Sequence, residues 1–227
     1  MAAYKTTALA DIEKEYGAKM APEGGWSLAK NFPGGASAEE KHTLENCSVF
    51  DLCHMARVRV TGADVLKKLS SVLDFDTEGV EADMAVCGFY GEENCTVLVM
   101  AEDDVLLLTA KNSTVQSISG EFADLEFFDL SEALAMLEVA GEKLVDVLAD
   151  FDIPAEDIPQ GEGVVKRLVA EVNTILFAGS TLPVPSVVLI FNAEYAEGMW
   201  EEFVETWPVK PAGFAAWNAL VSKAINE

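Results

Sequence analysis

Cys53 and His54 stand side by side, with Cys47 and His42 shortly before them. A thiol beside an imidazole is the raw material of a zinc centre or of a nucleophile–base pair. Zinc takes its ligands from closely spaced pairs. Here Cys87 and Cys95 are remote and no Cys-x-x-Cys occurs, so no metal site is expected. Neighbouring residues on an extended segment point to opposite faces, which separates the Cys53 thiol from the His54 ring. The acid clusters Glu92-Glu93 and Glu102-Asp103-Asp104 have the residue type for acid–base work. In a chain this acidic they are expected to be solvated surface at turns. Gly24-Gly25 and Gly34-Gly35 lack the Gly-x-Gly-x-x-Gly or Gly-Lys-Ser/Thr contexts that cradle phosphate. Trp200, Trp207 and Trp217 form either core or the wall of a cavity for a flat ligand.

The elements that must position these groups follow from periodicity. Leu9, Ile12 and Tyr16 at helical spacing predict a helix over 4–19. The glycines and prolines of 20–35 predict a loop. Ser37 with Glu40 matches a capping box opening a helix that ends near Asn46. Alternation over 56–61, closed by Gly62, predicts a strand and then a helix over 64–73. Strands are expected over 84–90, 95–101, 105–110, 134–139 and 187–191. Helices are expected over 144–151, 164–174, 194–206 and 212–225, with a loop over 153–163.

An internal echo runs through this order. Val60-Thr61-Gly62 followed by a helix matches Val139-Ala140-Gly141 followed by a helix. Each half then supplies an apolar strand ending in Ala, at Ala110 and Ala193, and a further helix. The expected class is α+β, built from duplicated strand–helix units.

The chain has 227 residues, 39 acidic against 15 basic, for a formal charge of −24. Half of it is hydrophobic and its mean hydropathy is +0.19, enough apolar material for a core. So much negative charge disfavours a nucleic-acid partner and an anionic membrane surface, and neither is expected. No apolar run is long enough to span a bilayer, and the N-terminus lacks a secretory pattern, so a cytoplasmic location with reduced thiols is expected.

Several segments, taken together, resemble the glycine cleavage T-protein family. Gly17-Ala18-Lys19-Met20, Gly24-Gly25-Trp26, Glu39-Glu40, Phe50-Asp51-Leu52-Cys53-His54-Met55 and Val60-Thr61-Gly62 fall in that family's order and approximate spacing. Leu134 to Gly141, residues 188–202 and Pro211-Ala212-Gly213-Phe214 continue the likeness. It covers the folate-binding part without the usual C-terminal barrel. The implied organisation is a single folate-binding region over 1–227, in two intertwined halves at about 50–130 and 131–227 with an N-terminal arm over 1–49.

The resemblance implies tetrahydrofolate as cofactor and transfer of a methyl or aminomethyl unit to it. The donor would be a small compound or a protein-borne group, from an aminomethyl carrier or a corrinoid protein. In the family this chemistry rests on a strand aspartate, a pterin-holding glutamate and a downstream arginine. Here Cys95-Thr96 stand at the Asp-Asp position, Val188 at the glutamate and Trp217 at the arginine. The family's asparagine falls near Thr109, with Asn112 close by. The implied pocket lining is therefore Cys95, Thr96, Asn112, Val188 and Trp217, with His54 and Met55 beside it. No catalytic residue is assigned. Three readings stay open: an altered one-carbon transferase, an accessory subunit that has lost the chemistry, and a binding module for another planar molecule.

Overall fold

The computed structural model describes residues 4–179 and 181–226. In chain order the elements are β1 (Lys5–Thr6), α1 (Ala10–Glu15), β2 (Lys19–Glu23), β3 (Trp26–Asn31), α2 (Ala36–Glu45), β4 (Cys47–Asp51) and β5 (Ala56–Thr61). Then come α3 (Val65–Leu73), β6 (Met84–Tyr90), β7 (Glu93–Ala101), β8 (Asp104–Thr109), α4 (Asn112–Gly120), β9 (Glu126–Asp129) and β10 (Leu134–Ala140). The chain finishes with α5 (Leu144–Ala149), β11 (Val164–Val169), β12 (Val172–Ala178), β13 (Ser186–Asn192), α6 (Ala196–Glu205), β14 (Val209–Ala212) and α7 (Phe214–Asn226). The chain divides into two units. One comprises the residues up to His54, Ala135–Gln160 and those from Val165 on; the other comprises Met55–Leu134 with Gly161–Val164. The described part of the expected N-terminal arm over 1–49, residues 4–49, is grouped with the first unit.

In the second unit, α3 buries Val65, Leu69 and Leu73, one residue per turn, and leaves its lysines outward. That stripe packs with Val58, Val60, Val97, Val105 and Leu107 from one face of a five-stranded sheet of order β6-β7-β8-β5-β9. In the first unit a six-stranded sheet has the order β11-β12-β13-β10-β4-β14. One of its faces carries Leu137, Val139, Val187, Leu189 and Phe191 into a core with Trp200 and Phe203 of α6. The other face carries Phe50 and Ala140 against Ala216 and Leu220 of α7. Both faces are covered, which is why these strands read as continuous apolar runs.

The two sheets repeat one another. Strand order β6-β7-β8-β5 in one matches β11-β12-β13-β10 in the other. The glycine that ends β5 has φ 140° and the one that ends β10 has φ 147°. A Cβ on Gly62 would lie 2.8 Å from the Leu125 side chain, and one on Gly141 only 2.0 Å from the Asn46 carbonyl oxygen. Each glycine carbonyl then accepts the amide that opens the next helix, Val65 N at 3.2 Å and Leu144 N at 3.1 Å. The fold is α+β with duplicated strand–helix units.

Three expected elements differ. The helix over 4–19 shrinks to α1. The expected loop over 20–35 contains the antiparallel pair β2 and β3, turned at Gly24 and Gly25, both at positive φ. The expected helix over 164–174 is the pair of strands β11 and β12. Its turn residues Ala170 and Glu171 have φ 46° and 65°, the sign a two-residue hairpin of this hand demands. The capping box is also absent: Gly35, at φ 83°, is the N-cap of α2 and no side chain caps it.

Candidate functional site

In the second unit the site grows from the start of β7. Side chains two apart on a strand share a face, so Glu93 lies on the same face as Cys95. Cys95 pairs across the ladder with Thr109, the last residue of β8. The chain then turns through Lys111 into α4. This brings three donors to one carboxylate. Thr109 Oγ1 donates to Glu93 Oε1 at 2.7 Å and Thr114 Oγ1 to Oε2 at 3.0 Å. Lys111 Nζ lies 3.0 Å from Oε2. Glu93 is thus not the solvated surface acid its cluster suggested; its side chain is 11% exposed. Burial pushes its carboxyl up, but the bonds from Thr109, Lys111 and Thr114 outweigh burial and hold it below the usual carboxylate range. The result is an ionised, oriented carboxylate at the rim of a sheet.

Its neighbours behave differently. Cys95 is fully buried, and burial pushes its thiol up, so it is a poor nucleophile. Thr96 points to the other face, where its Oγ1 sits 3.8 Å from the Sγ of exposed Cys87. Asn112 is exposed in the first turn of α4. The Met55 carbonyl accepts Nη1 of buried Arg57 at 2.5 Å, while Nη2 bonds the Ser131 carbonyl.

In the first unit a second carboxylate is held on the α7 side of the six-stranded sheet. Glu138 is 1% exposed in β10. Ser186 Oγ donates to its Oε1 at 2.7 Å and Trp217 Nε1 to its Oε2 at 2.8 Å. Burial raises its carboxyl, with the Trp217 and Ser186 bonds opposing. Val188, two residues beyond Ser186 on the same face of β13, is buried at 5% exposure. The face of the sheet that carries Val188 therefore also holds a carboxylate, delivered by the adjacent strand β10. Gly179 permits this: a Cβ there would fall 1.9 Å from Ser186 Oγ and 2.5 Å from Glu138 Oε1.

Two further acids in this unit are buried. Glu39 accepts from the amides of Phe32 and Gly213, tying α2 to β3 and to the start of α7. Glu13 is 1% exposed; burial and the negative charge of Asp51 push its carboxyl up to about 9. Cys53 and His54 lie in a turn after β4. Cys53 is engaged with the Met136 backbone, its Sγ accepting that amide at 3.3 Å. His42 Nε2 lies 2.8 Å from the Pro208 carbonyl oxygen. Among the described residues no cluster of three or more His, Cys, Asp or Glu is arranged to hold a metal. The three late tryptophans divide: Trp200 is core, Trp207 is 81% exposed, and Trp217 is half-buried. Among the described residues no helix is long and apolar enough to cross a membrane.

The residues expected at the site thus fall in two groups. Cys95, Thr96, Asn112 and Met55 belong to the second unit, and His54, Val188 and Trp217 to the first. Of the two carboxylates, Glu93 was read only as part of a solvated acid cluster and Glu138 was not singled out. Strand parity with Cys95 marks the first. A glutamate inside the apolar run Leu134-Ala135-Met136-Leu137-Glu138-Val139-Ala140 marks the second, since such residues are seldom buried without a partner.

Comparison with known proteins is consistent with this frame. Residues 9–222 match the GCVT N-terminal domain family. The mitochondrial aminomethyltransferase of Dictyostelium discoideum is 24% identical over 170 residues, which is 74% of this chain and 41% of that protein. The aminomethyltransferase of Clostridium botulinum (strain Loch Maree / Type A3) is 28% identical over 169 residues, covering 67% and 45%. The chain therefore spans less than half the length of these relatives. Among solved structures, the glycine cleavage system aminomethyltransferase T of Bartonella henselae superposes with a TM-score of 0.85 at 19% identity, over 96% of this chain and 62% of that one. A chain of the heterotetrameric sarcosine oxidase of Corynebacterium sp. U-96 gives 0.56 at 13% identity, over 86% and 91%. These two likenesses show the fold.

Proposed function

Because the chain belongs to the GCVT N-terminal domain family, we propose that it is a T-protein-like folate-binding module that serves tetrahydrofolate-dependent transfer of a one-carbon unit. The donor is a small methylated or aminomethylated compound, or such a group borne by a carrier protein. The observation that carries this reading is Glu93. Where the resemblance calls for an aspartate on a strand face, a carboxylate is supplied two residues earlier on that face. It is kept ionised by Thr109, Thr114 and Lys111.

The residues present fit a reduced folate in kind. A charged, partly exposed carboxylate of fixed orientation suits a folate nitrogen that would gain positive charge as it bonds to the incoming carbon, while the donor heteroatom leaves with the bonding electron pair. Bound, tetrahydrofolate supplies the nucleophilic nitrogen that accepts that unit. Glu93 places negative charge, Thr109 and Thr114 fix its two oxygens, and Lys111 closes the outer side. Asn112, exposed beside this group, is a polar contact in the same reading, and Thr96 and Met55 are proposed lining. In the first unit His54, Val188 and Trp217 are retained as proposed lining residues.

Glu93→Gln keeps the size of the side chain and one acceptor but removes the charge. With an aminomethylated donor and tetrahydrofolate, transfer in E93Q is expected to fall by about a hundredfold against the parent. Circular dichroism should show the fold retained. Equal rates in the two proteins would contradict the role of Glu93.

A further inference from the structure

Strand β14 forms one edge of the six-stranded sheet, and α2 packs beside it. Its parallel register sets Lys210 against Ser48 of β4, and registered neighbours share a face. Thr43 of α2 bonds the Ser48 hydroxyl at 2.7 Å, so that face looks toward α2. Along α2, Ala38, Lys41, His42 and Glu45 stand three and four apart and make one stripe. The stripe and the strand edge enclose a cleft of about 560 Å³, lined as well by Tyr16 and Phe32. His42 Nε2 donates to the Pro208 carbonyl, which ties α2 to the chain entering β14 and so holds the two walls together.

The charges in this cleft are placed for an anion. Acids outnumber bases 39 to 15 in the chain, yet no ion pair reaches Lys210 among the described residues. Lys41 stands 3.7 Å from Glu45 with both side chains well exposed, a pair that a ligand displaces at little cost. Glu39 is already taken up by the amides of Phe32 and Gly213. Ser48 adds a hydroxyl. Thr43 has one hydrogen and two acceptors, the Glu39 carbonyl at 2.9 Å and Ser48 Oγ. When Thr43 gives that hydrogen to Ser48, the Ser48 hydrogen is free for the cleft.

The aromatic residues indicate the rest of the ligand. Trp200 holds both rings, Tyr16 edge-on at 4.8 Å between centroids and Phe32 tilted at 6.2 Å. Rings fixed in this way meet a flat partner with little loss of entropy. Glu201, Glu205 and Glu15 place negative charge around Tyr16, so the ligand's ring, and not its anionic group, belongs at that end. A peptide added to the edge as a further strand is disfavoured, because Pro211 has no N–H to give to the ladder. The volume suits a small molecule.

We propose that the cleft between α2 and β14 binds a small planar aromatic anion, its oxyanion held by Lys41, Lys210 and Ser48 and its ring laid along Tyr16 and Phe32. The proposal stands apart from the folate reading, since none of the residues proposed for folate lines this cleft.

The probes are naphthoate and naphthyl phosphate, each titrated into the full chain and followed by amide NMR shifts. Saturable binding is expected, with the shifts centred on residues 38–48 and 209–212. The tighter probe names the oxyanion as carboxylate or phosphate. Lys41 and Lys210 are exposed, so K41A/K210A keeps the packing, and it is expected to bind about tenfold or more weakly. Cyclohexanecarboxylate, which has the charge without the flat ring, and naphthalenemethanol, which has the ring without the charge, are each expected to bind about tenfold or more weakly than naphthoate. No saturation by either probe at about 10 mM overturns the proposal. So does unchanged affinity in K41A/K210A, or a control that binds as well as naphthoate. Displacement of the probe by tetrahydrofolate overturns it as a separate site and leaves the folate reading standing, whereas probe binding in a chain that takes no folate removes that reading and leaves the cleft.

Discussion

Glu13 and Glu93 show one residue type driven in opposite directions by its surroundings. Glu93 meets three donors and stays charged. Glu13 has a carboxylate oxygen, Oε2, with no hydrogen-bond partner among the described residues, and it faces the charge of Asp51. Its folded value near 9 lies above the ordinary 4.5 of the free side chain. The folded state therefore binds the proton more tightly, and stability from this group is full below about pH 4.5 and is lost as pH rises toward 9. Glu13→Gln removes that dependence. At pH 8 the variant is expected to be more stable than the parent by about 1–3 kcal/mol, with the gap closing at pH 5. Urea unfolding at both pH values measures it, and a gap of the same size at both would contradict the assignment. Glu93 works with the other sign: its contribution is present at neutral pH and fades as acid protonates it.

At the scale of elements, legibility followed turn chemistry. The glycine-closed strands β5 and β10 could be read because nothing but glycine fits their ends. Gly62→Ala and Gly141→Ala put a methyl group against packed atoms at positive φ. Gly141→Ala is expected to be the worse of the two, costing about 3–5 kcal/mol, because the atom it meets is a backbone carbonyl oxygen rather than a side-chain methyl. Thermal unfolding of the pair checks the ranking, and equal melting points would contradict it. The β11–β12 hairpin was illegible for the opposite reason. Its turn is Ala170-Glu171, which carries none of the Asn-Gly or Gly-Gly signature, and Val164 to Thr174 has enough apolar residues to imitate a helix. Both turn residues are held in a left-handed conformation that L side chains adopt at a cost. The double substitution A170N/E171G is expected to stabilise the fold by about 1 kcal/mol, read as a higher urea midpoint at unchanged slope. A lower midpoint would mean the turn is held by contacts other than its own backbone preference. The acids showed a similar limit. Glu93 and Glu138 belong to strands whose parity was readable, but which donors meet them depends on contacts far apart in sequence, such as Glu138 with Ser186 and Trp217.

For the whole molecule, the match over residues 9–222 places the chain in its family, and the duplicated sheets supply the frame. The structure adds two oriented carboxylates to the residues the resemblance implied, Glu93 on β7 and Glu138 on β10. The central claim is that a reduced folate still binds. Calorimetric titration of the parent protein with tetrahydrofolate tests it most directly. The account predicts saturable binding at one site per chain, with ligand at about 100 times its Kd stabilising the fold by about 2.7 kcal/mol. No heat of binding, and no rise in melting point with any reduced folate, would contradict it.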